Sequence, residues 1–465
     1  MLTKTRTYDY ELAISEEGAC NIGSTLSTCD INQSIVIVAD RNSFIIINVV
    51  GFICEMSRGI LFPTLLLNIQ RNGGTLIDNG FAVAAFSLGR VIFGPIVGTL
   101  SETYGYKTLL ILTLLVSIIG TTFYANASSV RAIILAQFII GTGASNVGAV
   151  RAYVCENTRK DERSKYIAIL TSAQFAGVAV APFITYGIVF IASMGHERLN
   201  NYSLPAYIAA ISSAVIIYFL FFYFKDVHRA HNHRQDEVQS ILVSSTENEE
   251  FKEVEQESAS FSFFTISFVY RVGGCLLNVG TKGSIAVYET LGIGIAVSFY
   301  NWSSQEAGLL FATSGSIGVI VLILLQYNVK YFNDLQVTVF GLVMMILACS
   351  FLIKPPVGSG REFFASILIM YAIGYPVAHT GIISLVSKIS NKAPVGALMG
   401  WFSAAGSLSR ILFPILAGGL SSIGPVAVSS DQDYYVIFEI TTIVLVVAAV
   451  AVVCGYKSIS KNLDL

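Results

Sequence analysis

Twelve times the chain runs through apolar residues for about twenty positions, the length at which an α-helix crosses a bilayer core roughly 30 Å thick. The runs are continuous and do not alternate with polar residues, so helices are expected and barrel strands are not. The spans are expected at residues 43–69, 78–100, 107–126, 130–154, 165–193, 204–224, 268–298, 304–326, 335–353, 362–386, 396–422 and 434–456. With 54% hydrophobic residues, 12% charged residues and a mean hydropathy of +0.67, no water-soluble core could enclose this much apolar surface. The fold class is therefore an all-α membrane protein.

Polar stretches divide the 465 residues. Residues 1–42 are mixed in charge and read as a disordered arm. The spans of 43–224 form a first group of six and those of 261–456 a second, and 457–465 are a short tail. Residues 225–260 separate the groups with His228, His231, His233 and the acidic run from Glu247 to Glu257. An even number of spans puts both ends on one side. The segments on that side carry 17 Lys and Arg against five opposite, which places both termini in the cytoplasm. Of four glycosylation sequons, at Asn32, Asn126, Asn201 and Asn301, three fall on the opposite side, as a glycoprotein would have them. The first apolar run begins only near Phe44, so no cleavable signal peptide is expected.

The two groups of six echo each other. Glu55 and Glu289, in the first and seventh spans, are 234 residues apart, and Asp78 and Glu306, opening the second and eighth, are 228 apart. Ser172 and Ser403 precede Pro182 and Pro414 in the fifth and eleventh spans at a similar offset. Matched polar residues at equal span rank point to a duplicated six-helix unit, and two such pseudo-symmetric bundles around a midplane cavity are a transporter architecture.

Charges inside the spans are costly and mark function or pairing. Six bases qualify: Arg58, Arg90, Arg151, Arg271, Lys282 and Arg410, beside the acids Glu55 and Glu289. Glu55 and Arg58 share a helix face, and Glu289 lies two turns from Lys282. These readings make Glu55, Arg58, Glu289, His379 and Arg410 the substrate and proton pathway, Arg410 serving either cavity or gate. His379 is mid-span, where a titratable imidazole suits proton coupling. Arg90 and Arg151, near helix ends, are expected to brace a gate against Glu102, Glu156 or Glu162. The seven cysteines have neither metal-ligand spacing nor a disulfide pattern, and no nucleophile and base set or phosphate loop appears. A net charge of −2 offers nothing to a nucleic acid. No enzyme, cofactor or metal is expected; the partners are a lipid bilayer and a small-molecule or ion substrate, handled by a monomer.

Between the second and third spans lies the polar turn Gly98-Thr-Leu-Ser101-Glu102-Thr-Tyr-Gly105-Tyr-Lys107. Small Gly98 lets helices approach, Glu102 can face a helix N-terminus or an arginine, and Gly105 permits a tight turn. This stretch resembles the signature loop of the major facilitator superfamily, where it implies a conformational latch. In the second half, Val329–Leu335 keeps Lys330 and Asp334 but no glycine. Gly141 to Tyr153, Arg159 to Arg163, Tyr288-Glu289-Thr290, Trp302 to Glu306, Gly374-Tyr-Pro-Val and Met399-Gly-Trp through Pro414 look like the lysosomal, ceroid-lipofuscinosis branch of that superfamily. They also show kinship with the membrane domains of SPX-type vacuolar transporters. The resemblance implies Arg151, Glu289, Glu306 and Arg410 as shared positions and an endolysosomal address, toward which the dileucine-like Glu237 to Leu242 also points. It departs in two places: Gln137 stands where the pattern has an arginine, and Arg90 where the branch carries a neutral amide. The added positive charge implies an anionic solute. The expected function is thus alternating-access transport of a small anionic or zwitterionic solute, possible proton coupling included. A passive anion channel on the same fold and a non-transporting receptor or scaffold are the alternatives.

Overall fold

The computed structural model describes residues 41–193, 203–226, 256–328, 331–353, 360–389, 395–422 and 433–463. Residues 1–40 of the arm, the centre of the 225–260 segment with its histidines and dileucine-like signal, Lys330, and the sequons at Asn32 and Asn201 lie outside them. All twelve expected spans are helices: α1 (Arg41–Arg71), α2 (Leu76–Tyr104), α3 (Tyr106–Ala125), α4 (Val130–Gly143 and Val147–Glu156), α5 (Lys160–Ser193) and α6 (Leu204–Tyr223). The second set is α7 (Gln256–Tyr300), α8 (Ser304–Asn328), α9 (Asp334–Ser350), α10 (Gly360–Leu368 and Tyr375–Ile389), α11 (Val395–Ser422) and α12 (Asp433–Leu463). α7 and α12 run further than expected into loop and tail, because no glycine or proline stops the helix between Gln256 and Arg271 or between Lys457 and Leu463.

Two spans are interrupted. α4 carries a 3-10 turn at Ala144–Asn146, just after Gly141 and Gly143 press against the backbones of Phe86 in α2 and Ser117 in α3. α10 contains a π-helical stretch, Ile369–Gly374, in which the Tyr375 N–H reaches the Met370 carbonyl five residues back. The adjacent Pro376 accounts for it, since a proline ring clashes with the carbonyl four residues earlier and forces a local change of winding.

Packing is doubled along the chain. α1 packs on α5 and α6 as α7 packs on α11 and α12; α2 packs on α4 as α8 on α10; α3 packs on α4 and α6 as α9 on α10 and α12. Each of these contacts recurs six helices on, which makes the molecule two pseudo-symmetric six-helix bundles. They join through α2 with α11 and α5 with α8, a pair related by the same shift. The outer faces of α3, α6, α9 and α12 expose large apolar residues such as Ile119, Phe222, Phe340 and Val447, a surface suited to lipid and not to water.

The core distribution shows which side is shut. On the near side, where the α2–α3 turn lies, one buried cluster draws on both bundles, with Tyr153, Val154 and Leu170 beside Ile382, Val386, Met399 and Phe402. Toward the far side the first bundle has its own core, Ile60, Leu65, Ile69, Tyr124 and Ile133, with no buried member from the second. The bundles are sealed together at the near end.

Asp78 and Glu306, matched in sequence, turn out to be helix caps. Asp78 accepts from the N–H and hydroxyl of Thr75 at 2.7 and 2.8 Å, and Glu306 from those of Ser303 at 2.7 and 2.9 Å. Asp78→Ala and Glu306→Ala are therefore expected to leave solute transport unchanged and to lower the thermal unfolding midpoint only slightly, measured on purified protein.

Candidate functional site

At the near-side seam the helices touch through backbone. A Cβ on Gly400 of α11 would lie 2.6 Å from the Gly94 carbonyl of α2, and one on Gly98 would collide with the Gly396 carbonyl. Gly148 of α4 fits against Gly400 as well, so only glycine serves at this crossing. Glu102 accepts hydrogen bonds from the N–H groups of Gly396 and Ala397, 2.5 and 3.1 Å away, capping the N-terminus of α11 from the other bundle. Ser101 donates within its own helix, to the Gly98 carbonyl. Gly105 has φ +84°, and the Asp226 carboxylate lies where a side chain would be. Lys107 donates to the carbonyls of Phe221 and Phe224 at 2.8 and 3.2 Å, tying the turn to the end of α6. Glu156 closes α4 close to the Tyr106 hydroxyl.

The matching seam between α5 and α8–α9 has a latch of different chemistry. Asp334, opening α9, binds Lys388 at 2.6 Å, Ser164 at 2.7 Å and Ser384 at 3.0 Å, while Arg163 donates to the Ser387 carbonyl. Sequence reading noted Asp334 as a remnant of the motif and missed its partners. Lys388 lies 54 residues further on, and only the fold brings α10 to it.

Between the seams and the far side lies a charged centre. Glu55 of α1 pairs with Arg58 at 3.0 Å and with Arg90 of α2 at 3.5 Å. Glu289 of α7 pairs with Arg410 of α11 at 3.1 Å, not with Lys282 on its own helix. Arg151 of α4 donates to Gln174 of α5 at 3.3 Å and to Nε2 of His379 in α10 at 3.1 Å. Arg90 and Arg151 were expected to brace the gate; they point into the centre instead, Arg90 because its neighbour Gly89 packs against α4 and turns the side chain toward α1. Lys282 is buried against Asn278 and Gly406, where a Cβ on Gly406 would meet its Cδ and Nζ. Arg58 also borders a narrow, partly open pocket with Leu61, Leu65, Val83, Phe86, Gln137 and Ile140. Gln137 thus shares its surroundings with the Arg58 guanidinium.

Five cations and two carboxylates meet here among the described residues: Arg58, Arg90, Arg151, Lys282 and Arg410 against Glu55 and Glu289. The carboxylates are taken by Arg58, Arg90 and Arg410. Arg151 and Lys282, one from each bundle and within Coulombic range of each other, have no carboxylate within ion-pair distance among the described residues. Such a centre can hold an anion between bundles. Among the described residues no group of His, Cys, Asp and Glu could hold a metal ion.

The Major Facilitator Superfamily model matches residues 47–414. The chain is 22% identical over 413 residues to major facilitator superfamily domain-containing protein 8 of Xenopus laevis, covering 72% of this chain and 76% of the relative. It is 21% identical over 378 residues to the quinolone resistance protein NorA of Staphylococcus aureus, covering 80% and 88%. Among solved structures, the human organic anion transporter MFSD10 aligns with a TM-score of 0.65 and 14% identity over 89% of this chain and 99% of that one. The proton:xylose symporter XylE aligns with a TM-score of 0.70 and 14% identity over 88% and 94%. By fold, by doubled packing and by sequence, this chain is a multi-pass membrane protein of the major facilitator superfamily, a transporter family.

Proposed function

We propose that this protein carries a small anionic or zwitterionic solute across an endolysosomal or vacuolar membrane by alternating access, coupled to protons, as a monomer with both termini in the cytoplasm. The observation that carries the reading is the pair Arg151 and Lys282, cations from opposite bundles with no carboxylate within ion-pair distance among the described residues. An anion between them would lower the repulsion across the interface and favour closing over it, so solute and conformation are linked. The near seam is sealed by a core drawn from both bundles, while the core toward the far end of the first bundle includes no buried residue of the second, which fits the state that receives solute from the lumen. That a fold neighbour is an organic anion transporter fits an anionic solute, and the address rests on the sequence resemblance to the lysosomal branch and on the dileucine-like stretch.

Glu289 is the better proton carrier of the two acids. It has one guanidinium partner and a side chain 33% exposed, whereas Glu55 has two partners and is 13% exposed. Protonating Glu289 would release Arg410 for the solute. In reconstituted vesicles given a panel of labelled organic and inorganic anions, uptake driven by a pH gradient is expected to fall at least about tenfold in Glu289→Gln while exchange at equal pH persists. Intact gradient-driven uptake would remove the coupling role. Saturable uptake separates a carrier from the alternative, an anion channel, which would show large currents reversing at the anion potential.

A further inference from the structure

His379 is held in an unusual way. An arginine N–H can only donate, so the 3.1 Å contact with Arg151 requires Nε2 of His379 to be an acceptor. The ring is then neutral with its proton on Nδ1, which has no hydrogen-bond partner among the described residues. Its faces are stacked against Tyr375 at 5.3 Å and Phe402 at 6.3 Å between ring centres, an arrangement that accommodates a flat cation. The charged groups facing it are Arg151 from α4 and Lys282 from α7; Tyr375 is on its own helix. From α5 come Gln174, bonded to Arg151, and Phe175, packed on Tyr375; α11 presents Phe402. The acid of α9, Asp334, is engaged with Lys388 and Ser384 further along α10.

With Arg151 and Lys282 close by and, among the described residues, no carboxylate within ion-pair distance, a proton on Nε2 would cost the ring the hydrogen bond it has there and add a third positive charge. An anion changes both conditions. It can draw the Arg151 guanidinium away from the ring, and it offers the freed Nε2–H an acceptor. We propose that the solute anion and one proton bind together at this cluster, the anion on Arg151 and Lys282 and the proton on Nε2 of His379. No bond other than N–H forms, and the proton comes from water on the open side. Because Arg151 and His379 belong to different bundles, exchanging their direct contact for one through the anion makes the closed seam depend on occupancy. The inference rests on the anion reading above and adds a proton separate from that of Glu289.

The test uses the full chain, purified in lightly buffered detergent solution near pH 7, with chloride, inorganic phosphate, acetate and succinate as probes. Binding is read by the shift in unfolding midpoint and proton uptake by a pH indicator. For a probe that binds, wild type should take up protons, and His379→Gln, which keeps an acceptor for Arg151 but cannot be charged, should bind the probe and take up about one proton fewer. His379→Asn replaces it should the glutamine variant not fold. Binding with no proton uptake in wild type, or equal uptake in wild type and variant, overturns the proposal and leaves the anion reading standing. Failure of all four probes to bind wild type removes the anion reading, and this inference with it.

Discussion

Gly400→Leu is expected to yield a protein that reaches the membrane and moves solute about tenfold more slowly. At Gly400 the α11 backbone lies against Gly94, Pro95 and Gly148, with room for no side chain. Forcing four carbons into such a crossing costs about 1–3 kcal/mol of overpacking, and only in the state where the near-side seam is closed. A penalty on one conformer shifts the equilibrium toward the other, by about tenfold for each 1.4 kcal/mol. The protein would rest with its near side open. The measurement is labelling of a cysteine placed at Ser403, a buried position one turn deeper in α11, by an impermeant maleimide in a background without the native cysteines. Labelling should rise about tenfold from the near side while vesicle uptake falls by as much. Unchanged labelling with intact uptake would mean that the glycine crossing does not part during transport.

The second large effect concerns the fold. Glu55 holds two buried guanidinium groups, and Glu55→Ala strands both. Breaking a buried ion pair by removing one partner costs about 3–5 kcal/mol, because the remaining charge keeps its desolvation penalty without compensation. Glu55→Ala should therefore unfold far more readily in a thermal melt in detergent. Arg58→Met should lose much less, since Glu55 keeps Arg90 and the new side chain is apolar. If the two variants melted alike, Arg90 would be no real partner of Glu55, and the pair would be internal to α1.

What was legible in the sequence follows from physics that acts along one helix. Span positions follow from apolar run length, and the Glu55–Arg58 pair follows from a three-residue spacing that any α-helix turns into a contact. The role of Glu102 could be narrowed to two options, an arginine or a helix N-terminus, and the fold supplies the second. Contacts between helices were not legible. Arg90 reaches Glu55 and Arg410 reaches Glu289 because of how α1 meets α2 and α7 meets α11, and the phase of those crossings depends on glycines whose partners are far away in the chain. The pairing of Arg151 with His379 spans 228 residues and two bundles. Proximity to a helix end suggested a gate for Arg151, but depth along an axis says nothing about which way a side chain turns. The winding change in α10 had a local sign in Pro376, although proline alone does not announce a π-helical stretch over a simple kink.

The two seams of the near side are built from unlike materials. One is a carboxylate against neutral peptide N–H groups, the other a carboxylate against a lysine ammonium with two hydroxyls. Ionic strength screens a contact between full opposite charges more than one between a charge and a dipole. Raising salt on that face should therefore loosen the α5–α9–α10 corner first, so that the molecule hinges open like a door hung on the α2–α11 edge instead of parting evenly along its midline.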